Sequence, residues 1–327
     1  MAGSIWVVMV NYRTASLAID CLRSLAPQVA GLPHFHTVIV DNASGDGSAR
    51  TLAETIARDG WHEWASVLPL DRNGGFSSGI NAAIAQALVA APRVEYLVFL
   101  NPDTVLHRDA VRALVDFMER HPRAGIAGSR LENTQGSPEC SAHRAPSPIG
   151  ELVSAARLGL LNRALRRYVV TLSMPDAAQE CDWVSGASFI VRRQVLHDIG
   201  GFDEGYFLYF EEVDFCLRAR KAGWQVWFVP ESRVTHLEGA STGIRDRQHR
   251  RPKYWYDSRR RYFLTYFGVP GLIAADLLWV VGRASLVVRR ALKLGSGGPD
   301  REPKWFGIDL LWNDLRSLFG GKLWGKS

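Results

Sequence analysis

Tyr96-Leu97-Val98-Phe99-Leu100-Asn101-Pro102-Asp103 is the stretch on which the reading of this 327-residue chain turns. Apolar residues run to Leu100 without alternation, as in a strand buried on both faces of a parallel sheet. The run ends in Asn101 and Asp103, two oxygen-bearing side chains two residues apart. Such a pair can meet a hard cation from one side, and Mg2+ or Mn2+ prefers oxygen ligands while keeping positions open for phosphate oxygens. The same residues also read as an Asn-Pro turn with Asp103 capping a helix.

Upstream the pattern recurs. Ile5–Val10, Thr37–Val40 and Ser66–Leu70 are further near-continuous apolar runs. Between the runs, Ser16–Ala26, Ser48–Arg58 and Ser77–Ala91 each begin near a serine able to cap a helix, and Ile80, Ile84 and Leu88 share one helical face. Strand and helix in alternation predict an α/β protein with a mostly parallel, Rossmann-like sheet flanked by helices, binding its ligands at the carboxyl ends of the strands. Downstream, residues 131–180 read as a loop region with one short helix near Ile149–Leu165. Order returns with a strand at Ser188–Arg192, a helix from about Glu212 to Ala222 stopped by Gly223, and a strand at Trp224–Val229. One α/β domain over 1–240 is expected, its two halves meeting at about residue 130, followed by a helical C-terminal region over 241–327.

Residues 241–327 differ in character. A basic, aromatic helix at 252–267 precedes a 20-residue apolar stretch, 269–288, interrupted by Asp276 and Arg283; Gly295–Pro299 is a flexible break before a last helix at 304–319. Residues 243–327 hold 17 Lys/Arg against 7 Asp/Glu, a net of +10, and the remainder carries a net of −4. A basic, Trp-rich tail on a mildly acidic body implies an anionic surface as partner. Its aliphatic content favours a membrane over nucleic acid. The 269–288 stretch is long enough to span a bilayer, yet Asp276 and Arg283 would each cost about 2.5–3.5 kcal/mol near its middle. Seven residues apart, they fall on nearly the same helical face. A helix lying on the membrane or packed on the body is therefore expected, with Trp305, Phe306, Leu310, Leu311, Trp312, Leu315, Leu318 and Phe319 as a second amphipathic set and Arg289, Arg290, Lys293, Arg316, Lys322 and Lys326 nearby. A homo-oligomer interface is the alternative for these surfaces.

Hydrophobic residues at 47 % and charged residues at 22 % support a full core and exclude long disorder. Four scattered cysteines, Cys21, Cys140, Cys181 and Cys216, form no CxxC pair, so neither a disulfide framework nor a zinc knuckle is expected and a reducing compartment is the default. Ile5–Val10 is too short for the apolar core of a signal peptide and reads as a first strand.

The remaining chemistry lies at segment ends. Asp41, Asn42, Ser44, Asp46 and Gly47 follow the second apolar run, where an acid can accept hydrogen bonds from a nucleotide and the same residues can simply form a turn. Asn73-Gly74-Gly75-Phe76, with Gly79 and Asn81 beyond, puts two glycines before a helix, where backbone N–H groups can approach a phosphate or sugar. Glu211, Glu212 and Asp214 stand at a helix start after an aromatic run. A carboxylate there can act as general base, or cap the helix, or, for Asp214, pair with Arg218 one turn on. His236 is either structural or a further metal ligand.

Taken in order, Val10-Asn11-Tyr12, Asp41-Asn42-x-Ser44-x-Asp46-Gly47, Asn73-Gly74-Gly75-Phe76-x-x-Gly79-x-Asn81, Leu100-Asn101-Pro102-Asp103, Gly186-Ala187, Gly200-Gly201-Phe202-Asp203-Glu204, Glu211-Glu212-x-Asp214 and His236 resemble the family 2 glycosyltransferases, and within them the bacterial rhamnosyltransferase branch, from about residue 4 to residue 267. The resemblance implies a GT-A fold and an inverting transfer from a nucleotide-sugar, with dTDP-rhamnose the best donor and UDP- or GDP-sugars the alternatives. The acceptor would be a glycan or polyprenyl-diphosphate-linked saccharide in cell-surface polysaccharide synthesis on the cytoplasmic face of the inner membrane. It implies donor contacts from Asn11, Tyr12, Asp41, Asn73, Gly74, Gly75, Asn81 and Asn101. Asp103 and His236 would ligate Mg2+ or Mn2+, Glu212 or its neighbour Glu211 would be the base, and Trp183, Gly186 and Asp214 would border the acceptor. Asn101 replaces the first acid of the family's Asp-x-Asp motif, which should weaken metal binding. A nucleotidyltransferase would need a basic, Gly-rich loop after the first strand, and Val10-Asn11-Tyr12-Arg13-Thr14 has no glycine. The acids at 41, 103, 211, 212 and 214 speak against a non-catalytic membrane scaffold.

Overall fold

The computed structural model describes residues 4–32, 34–90, 92–172, 174–237, 249–294 and 302–319. The break expected at Gly295–Pro299, and Lys322 and Lys326, lie outside the described residues. The chain forms two compact units, one within Met1–His143, Thr171–Phe207 and Glu211–Thr242, the other within Arg144–Val170, Leu208–Phe210 and Gly243–Ser327.

The first unit is the expected α/β body. It opens with β1 (Ser4–Asn11), α1 (Ala15–Val29), β2 (Phe35–Asp41), α2 (Ser48–Arg58), β3 (Ala65–Pro69), α3 (Phe76–Val89) and β4 (Val94–Leu100). β1 pairs in parallel with β2 and β4, and β2 with β3. These strands are buried nearly end to end, which is why their sequences show runs and not alternation.

Next come β5 (Thr104–Leu106), α4 (Ala110–Arg120) and β6 (Ala124–Glu132), where the sequence reading assigned no element, then the short strands β7 (Pro138–Glu139) and β8 (Ala142–His143). β6 hides behind small residues for a packing reason: a Cβ on Gly128 would sit 2.5 Å from Cβ of Val184. In the second unit lie α5 (Pro148–Ala156), capped by the Ser147 hydroxyl accepting from the Gly150 amide, and α6 (Gly159–Ala164). Back in the first unit follow β9 (Gln179–Glu180), β10 (Trp183–Val184), β11 (Ser188–Arg192), α7 (Arg193–Ile199), α8 (Glu211–Lys221) and β12 (Gln225–His236).

The sheet order is β3-β2-β1-β4-β11-β6-β12-β5. β11 runs antiparallel to both β4 and β6, so the sheet is mixed, though β1, β2, β3 and β4 are all parallel. That reversal positions the site. Ser188 pairs with Leu100, bringing Gly186 and Ala187 to the carboxyl end of β4, where the Asn101 N–H donates to the Ala187 carbonyl at 2.9 Å. β12 runs seven residues past the expected Val229, placing His236 opposite Thr104 and beside Asp103.

The second unit groups α5 and α6 with α9 (Lys253–Ala291) and α10 (Phe306–Phe319), so residues 144–170 belong with the C-terminal helices. The two expected segments of α9 meet at Gly268, whose φ of 67° breaks the helix, with Pro270 just beyond. Asp276, placed within the apolar stretch, is neutralised inside the protein: Arg259, 1 % exposed, reaches Asp276 at 2.9 Å, Asp314 at 3.2 Å and Glu151 at 3.5 Å. Gly282 lies so close to α5 that a Cβ would be 2.8 Å from the Leu152 carbonyl.

Candidate active site

The candidate residues lie in the first unit at the carboxyl ends of β1, β2 and β4 and at the start of α8. Asn11 and Asp41 are register partners at the ends of β1 and β2. The Asn11 amide donates to Asp41 Oδ1 at 2.7 Å, and its oxygen accepts from the Thr14 N–H and hydroxyl. Asn11 is fully buried, so the donor contact expected of it becomes a brace for Asp41. Asp41 also accepts from the Ser44 hydroxyl at 2.6 Å and the Ser44 N–H at 3.1 Å, and is itself buried. Tyr12, 41 % exposed, presents the open ring at this corner, with the Arg13 guanidinium over it.

The Gly-Gly turn departs from its reading as a phosphate cradle. The Gly75 N–H donates to Asn73 Oδ1 at 2.9 Å and the Phe76 N–H donates to the Phe207 carbonyl at 2.7 Å, so two amides expected to face a ligand are spent. Asn42 completes the turn, donating to Asn73 Oδ1 and to the Gly75 carbonyl, both at 3.0 Å. Asn81 also differs: its amide accepts from the Phe202 N–H at 2.8 Å and donates to the Phe202 carbonyl at 2.9 Å and to Glu204 at 3.0 Å. It holds a loop. Except for the local Asn73–Gly75 bond, these partners are distant in sequence and left no local signal, although Asn42 stood in the quoted motif.

Asp103, 1 % exposed, sits with Oδ1 3.4 Å from His236 Nε2. A carboxylate oxygen beside an imidazole nitrogen could hold a divalent cation such as Mn2+. Among the described residues no group of three or more His, Cys, Asp or Glu side chains gathers as a larger metal site.

Glu211 and Glu212 begin α8. Glu211 is 4 % exposed and Glu212 is part-buried; one oxygen of each lacks a hydrogen-bond partner, and among the described residues neither faces a cation. Burial pushes the Glu212 carboxyl up to about 7. Burial, with the neighbouring Glu212 charge, raises Glu211 well above the carboxylate range. Gly186 packs beside the pair: a Cβ there would lie 3.7 Å from the Glu212 carboxyl carbon. Trp183 stacks on His143 with ring centroids 4.0 Å apart, a partner the sequence did not reveal. Asp214, expected at the acceptor, is 3 % exposed and bound to Arg218 Nε at 2.7 Å. The set combines an unpaired acid pair able to take a proton, an oxygen-nitrogen pair able to hold a cation, and an exposed aromatic ring.

The chain is similar to known proteins over most of its length. Residues 2–257 match the family described as glycosyltransferase like family 2. The chain is 29 % identical over 270 residues to the N-acetylglucosaminyl-diphospho-decaprenol L-rhamnosyltransferase of Mycobacterium tuberculosis, covering 79 % of this chain and 83 % of that one. It is 24 % identical over 162 residues to rhamnosyltransferase WbbL of Escherichia coli K12, covering 50 % of this chain and 60 % of that one. Among solved structures it is similar to the mannosyltransferase PcManGT of Pyrobaculum calidifontis in complex with GDP-Man and Mn2+, with a TM-score of 0.62 at 14 % identity, over 98 % of this chain and 89 % of that one.

Proposed function

The chain belongs to the family 2-like glycosyltransferases and has the GT-A fold, and we propose that it moves rhamnose from dTDP-rhamnose, with inversion, onto a polyprenyl-diphosphate-linked saccharide in cell-surface polysaccharide synthesis. The observation that carries the catalytic part is the Glu211–Glu212 pair at the start of α8, next to Gly186 and, among the described residues, without a cation. The similarity to the mycobacterial L-rhamnosyltransferase supports the sugar and the lipid-linked acceptor. UDP- or GDP-sugars are the alternative donors.

Glu212, the more accessible of the two, is ionised above about pH 7 and removes the proton from an acceptor hydroxyl. The oxygen then attacks the anomeric carbon opposite the diphosphate, which inverts the configuration. Burial and the neighbouring Glu212 charge raise Glu211 as well, so the two carboxyls share one site and favour holding a proton between them. Trp183 and Gly186 border the acceptor. The Tyr12 ring, beside Asp41 held by Asn11, faces the nucleotide base, and Asn101 lies next to Asp103 on the donor side. Asp103 and His236 would hold Mg2+ or Mn2+, which when bound neutralises charge on the leaving nucleoside diphosphate. The test is release of nucleoside diphosphate by purified protein with a lipid-linked acceptor, with and without Mn2+, across dTDP-rhamnose, UDP-sugars and GDP-sugars. Metal-dependent release from dTDP-rhamnose supports the full reading. Turnover of a UDP- or GDP-sugar instead overturns the choice of sugar.

The second unit supplies the anionic-membrane contact. Leu272, Ala275, Asp276, Gly282 and Leu286 face inward on α9, while Val269, Ile273, Leu277, Val281, Val287 and Val288 are 40–61 % exposed along its other side. Trp305, Ile308, Trp312 and Leu315 repeat this on α10 at 50–64 %. Lys253–Ala291 is long and apolar enough to cross a bilayer, but its break at Gly268 and its inward Asp276 favour a helix lying on the cytoplasmic face of the inner membrane. Flotation with vesicles containing phosphatidylglycerol, lost on Leu277→Glu, supports this. A salt-resistant homo-oligomer that ignores vesicles would assign the face to a second copy.

A further inference from the structure

The turn Asn73–Phe76 and the side chain of Asn81 hold a loop, and that loop holds the helix bearing the acid pair. The loop is anchored at two points on α3. Asn81 binds both the N–H and the carbonyl of Phe202, and the Phe76 N–H binds the Phe207 carbonyl. Between them the loop is closed on itself, the Tyr206 N–H donating to the Asp203 carbonyl and the Gly205 N–H to the Asp203 side chain. On its other side it is tied to α8. Arg218 donates to the Ile199 and Gly201 carbonyls, both at 2.9 Å, and the Phe202 ring stacks on Phe215 with centroids 4.2 Å apart and planes within 7°. α8 carries Glu211 and Glu212 in its first turn.

Gly75 is what lets the loop come in. Its φ of 90° is in the left-handed region, and a Cβ would lie 2.4 Å from the Phe207 carbonyl oxygen and 2.8 Å from its Cα. Both atoms belong to the backbone, so an alanine cannot be accommodated by rotating a side chain. Gly201 is fitted to the same clamp: a Cβ there would meet the Asn81 amide oxygen at 2.4 Å.

We propose that Gly75 and Asn81 are positioning residues for the Glu211–Glu212 pair, acting through the Phe202–Phe207 loop, and that they are not contacts to the donor diphosphate. This rests on the reading of Glu212 as base. Gly75 then fits the loop against α3, Gly74 lies close to Ser78 of α3 itself, and the donor's phosphates are left to groups beyond this turn.

The test separates donor binding from turnover. Gly75→Ala, Asn81→Ala and Asn81→Asp are compared with the parent for dissociation of the donor nucleoside diphosphate by calorimetry, for kcat and acceptor KM, and for the pH dependence of kcat. Gly75→Ala and Asn81→Ala are expected to keep the nucleotide Kd within about threefold and to lose about 10- to 100-fold in kcat, since displacement by about 1 Å costs this much. The acid limb should move down by half a pH unit or more as the pair becomes hydrated. Asn81→Asp, which keeps an acceptor for the Phe202 N–H, should recover part of kcat. A Kd weakened tenfold with kcat retained would make Gly75 or Asn81 a donor contact and overturn the proposal, as would full kcat in both. If Gly75→Ala does not fold, Asn81→Ala, which adds no bulk, decides. Glu212→Gln run alongside tests the premise separately: full turnover in that variant sinks the base assignment, while the split between Kd and kcat still reports whether the turn touches the donor.

Discussion

Two sets of buried acids stand in this chain, and they are built on opposite plans. Around Arg259, the carboxylates of Glu151, Asp276 and Asp314 each lie within 3.5 Å of a guanidinium, and Arg260 adds a second cation 3.2 Å from Asp314. At the start of α8, Glu211 is buried beside the part-buried Glu212 and, among the described residues, no cation meets either. Burial raises the carboxyls in both sets, to about 7 for Asp314 and for Glu212 alike. A raised carboxyl therefore does not by itself identify a catalytic group. The neighbouring charge does: an acid held by guanidinium groups joins helices, while an acid left without a cation exchanges a proton with whatever enters beside it.

The largest expected effect tests the unpaired set. Glu212→Gln should lower transfer by about 10²–10⁴-fold, the usual worth of a general base, while donor binding persists. Stability should move the other way. A carboxyl whose folded value is raised to about 7 from 4.5 favours the protonated fold, so it costs stability progressively as pH rises from about 4.5 to about 7. The amide removes that cost, and thermal melts at pH 8 should show Glu212→Gln no less stable than the parent, higher by about 1–3 kcal/mol. A melt lowered by several degrees would make Glu212 a structural acid and erase the distinction between the two sets.

Arg259→Met tests the paired set and ranks next. Removing the cation leaves three carboxyls buried around an apolar chain, with an expected loss of about 3–5 kcal/mol. The loss should be greater at pH 8 than at pH 5, because the orphaned acids can take up protons in acid and then need no partner. Urea unfolding at the two pH values measures it. An equal loss at both would mean that packing of the Arg259 stem, and not its charge, holds these helices.

What could be read in the sequence divides along the same line. The parallel strands announced themselves because burial on both faces leaves unbroken apolar runs, and the acids at 41, 103, 211 and 212 stood at segment ends where ligands gather. β6 was illegible because Gly125 and Gly128 replace the expected β-branched residues wherever Val195 and Val184 press in. The antiparallel course of β11 was illegible for another reason: a buried apolar strand carries no sign of its direction, and here direction decides that Gly186 meets Glu212. The bonds that Asn11 and Asn81 make inside the protein left no sign in the sequence, because residue types that suit a ligand also suit a carboxylate or a backbone amide, and these partners lie 30 and 121 residues away. Asp276 was read as a membrane problem because its cation, Arg259, is 17 residues upstream across the Gly268 break.

The pH dependence of transfer should follow the unpaired pair. With Glu212 at about 7, kcat should rise close to tenfold per unit up to about pH 7 and then level, while stability declines over the same interval. Activity and stability would thus change in opposite directions between pH 5 and 7. Transfer that is flat down to pH 5 would place the functional base among ordinary carboxyls and remove Glu212 from the role.

The smallest expected effect lies on α8 itself, where an acid of each kind stands within one turn. Asp214 is as deeply buried as Glu211 but is bound to Arg218. Asp214→Asn removes one charge-assisted hydrogen bond, worth about 1–2 kcal/mol, and leaves Arg218 its bonds to the Ile199 and Gly201 carbonyls. The loop between them should therefore stay in place. Transfer should stay within about fivefold of the parent and the acceptor KM unchanged, against the loss of several orders of magnitude two residues earlier. An acceptor KM raised tenfold would return Asp214 to the acceptor site expected from the sequence. A kcat as low as that of Glu212→Gln would show that a guanidinium partner does not separate structural from catalytic acids in this helix.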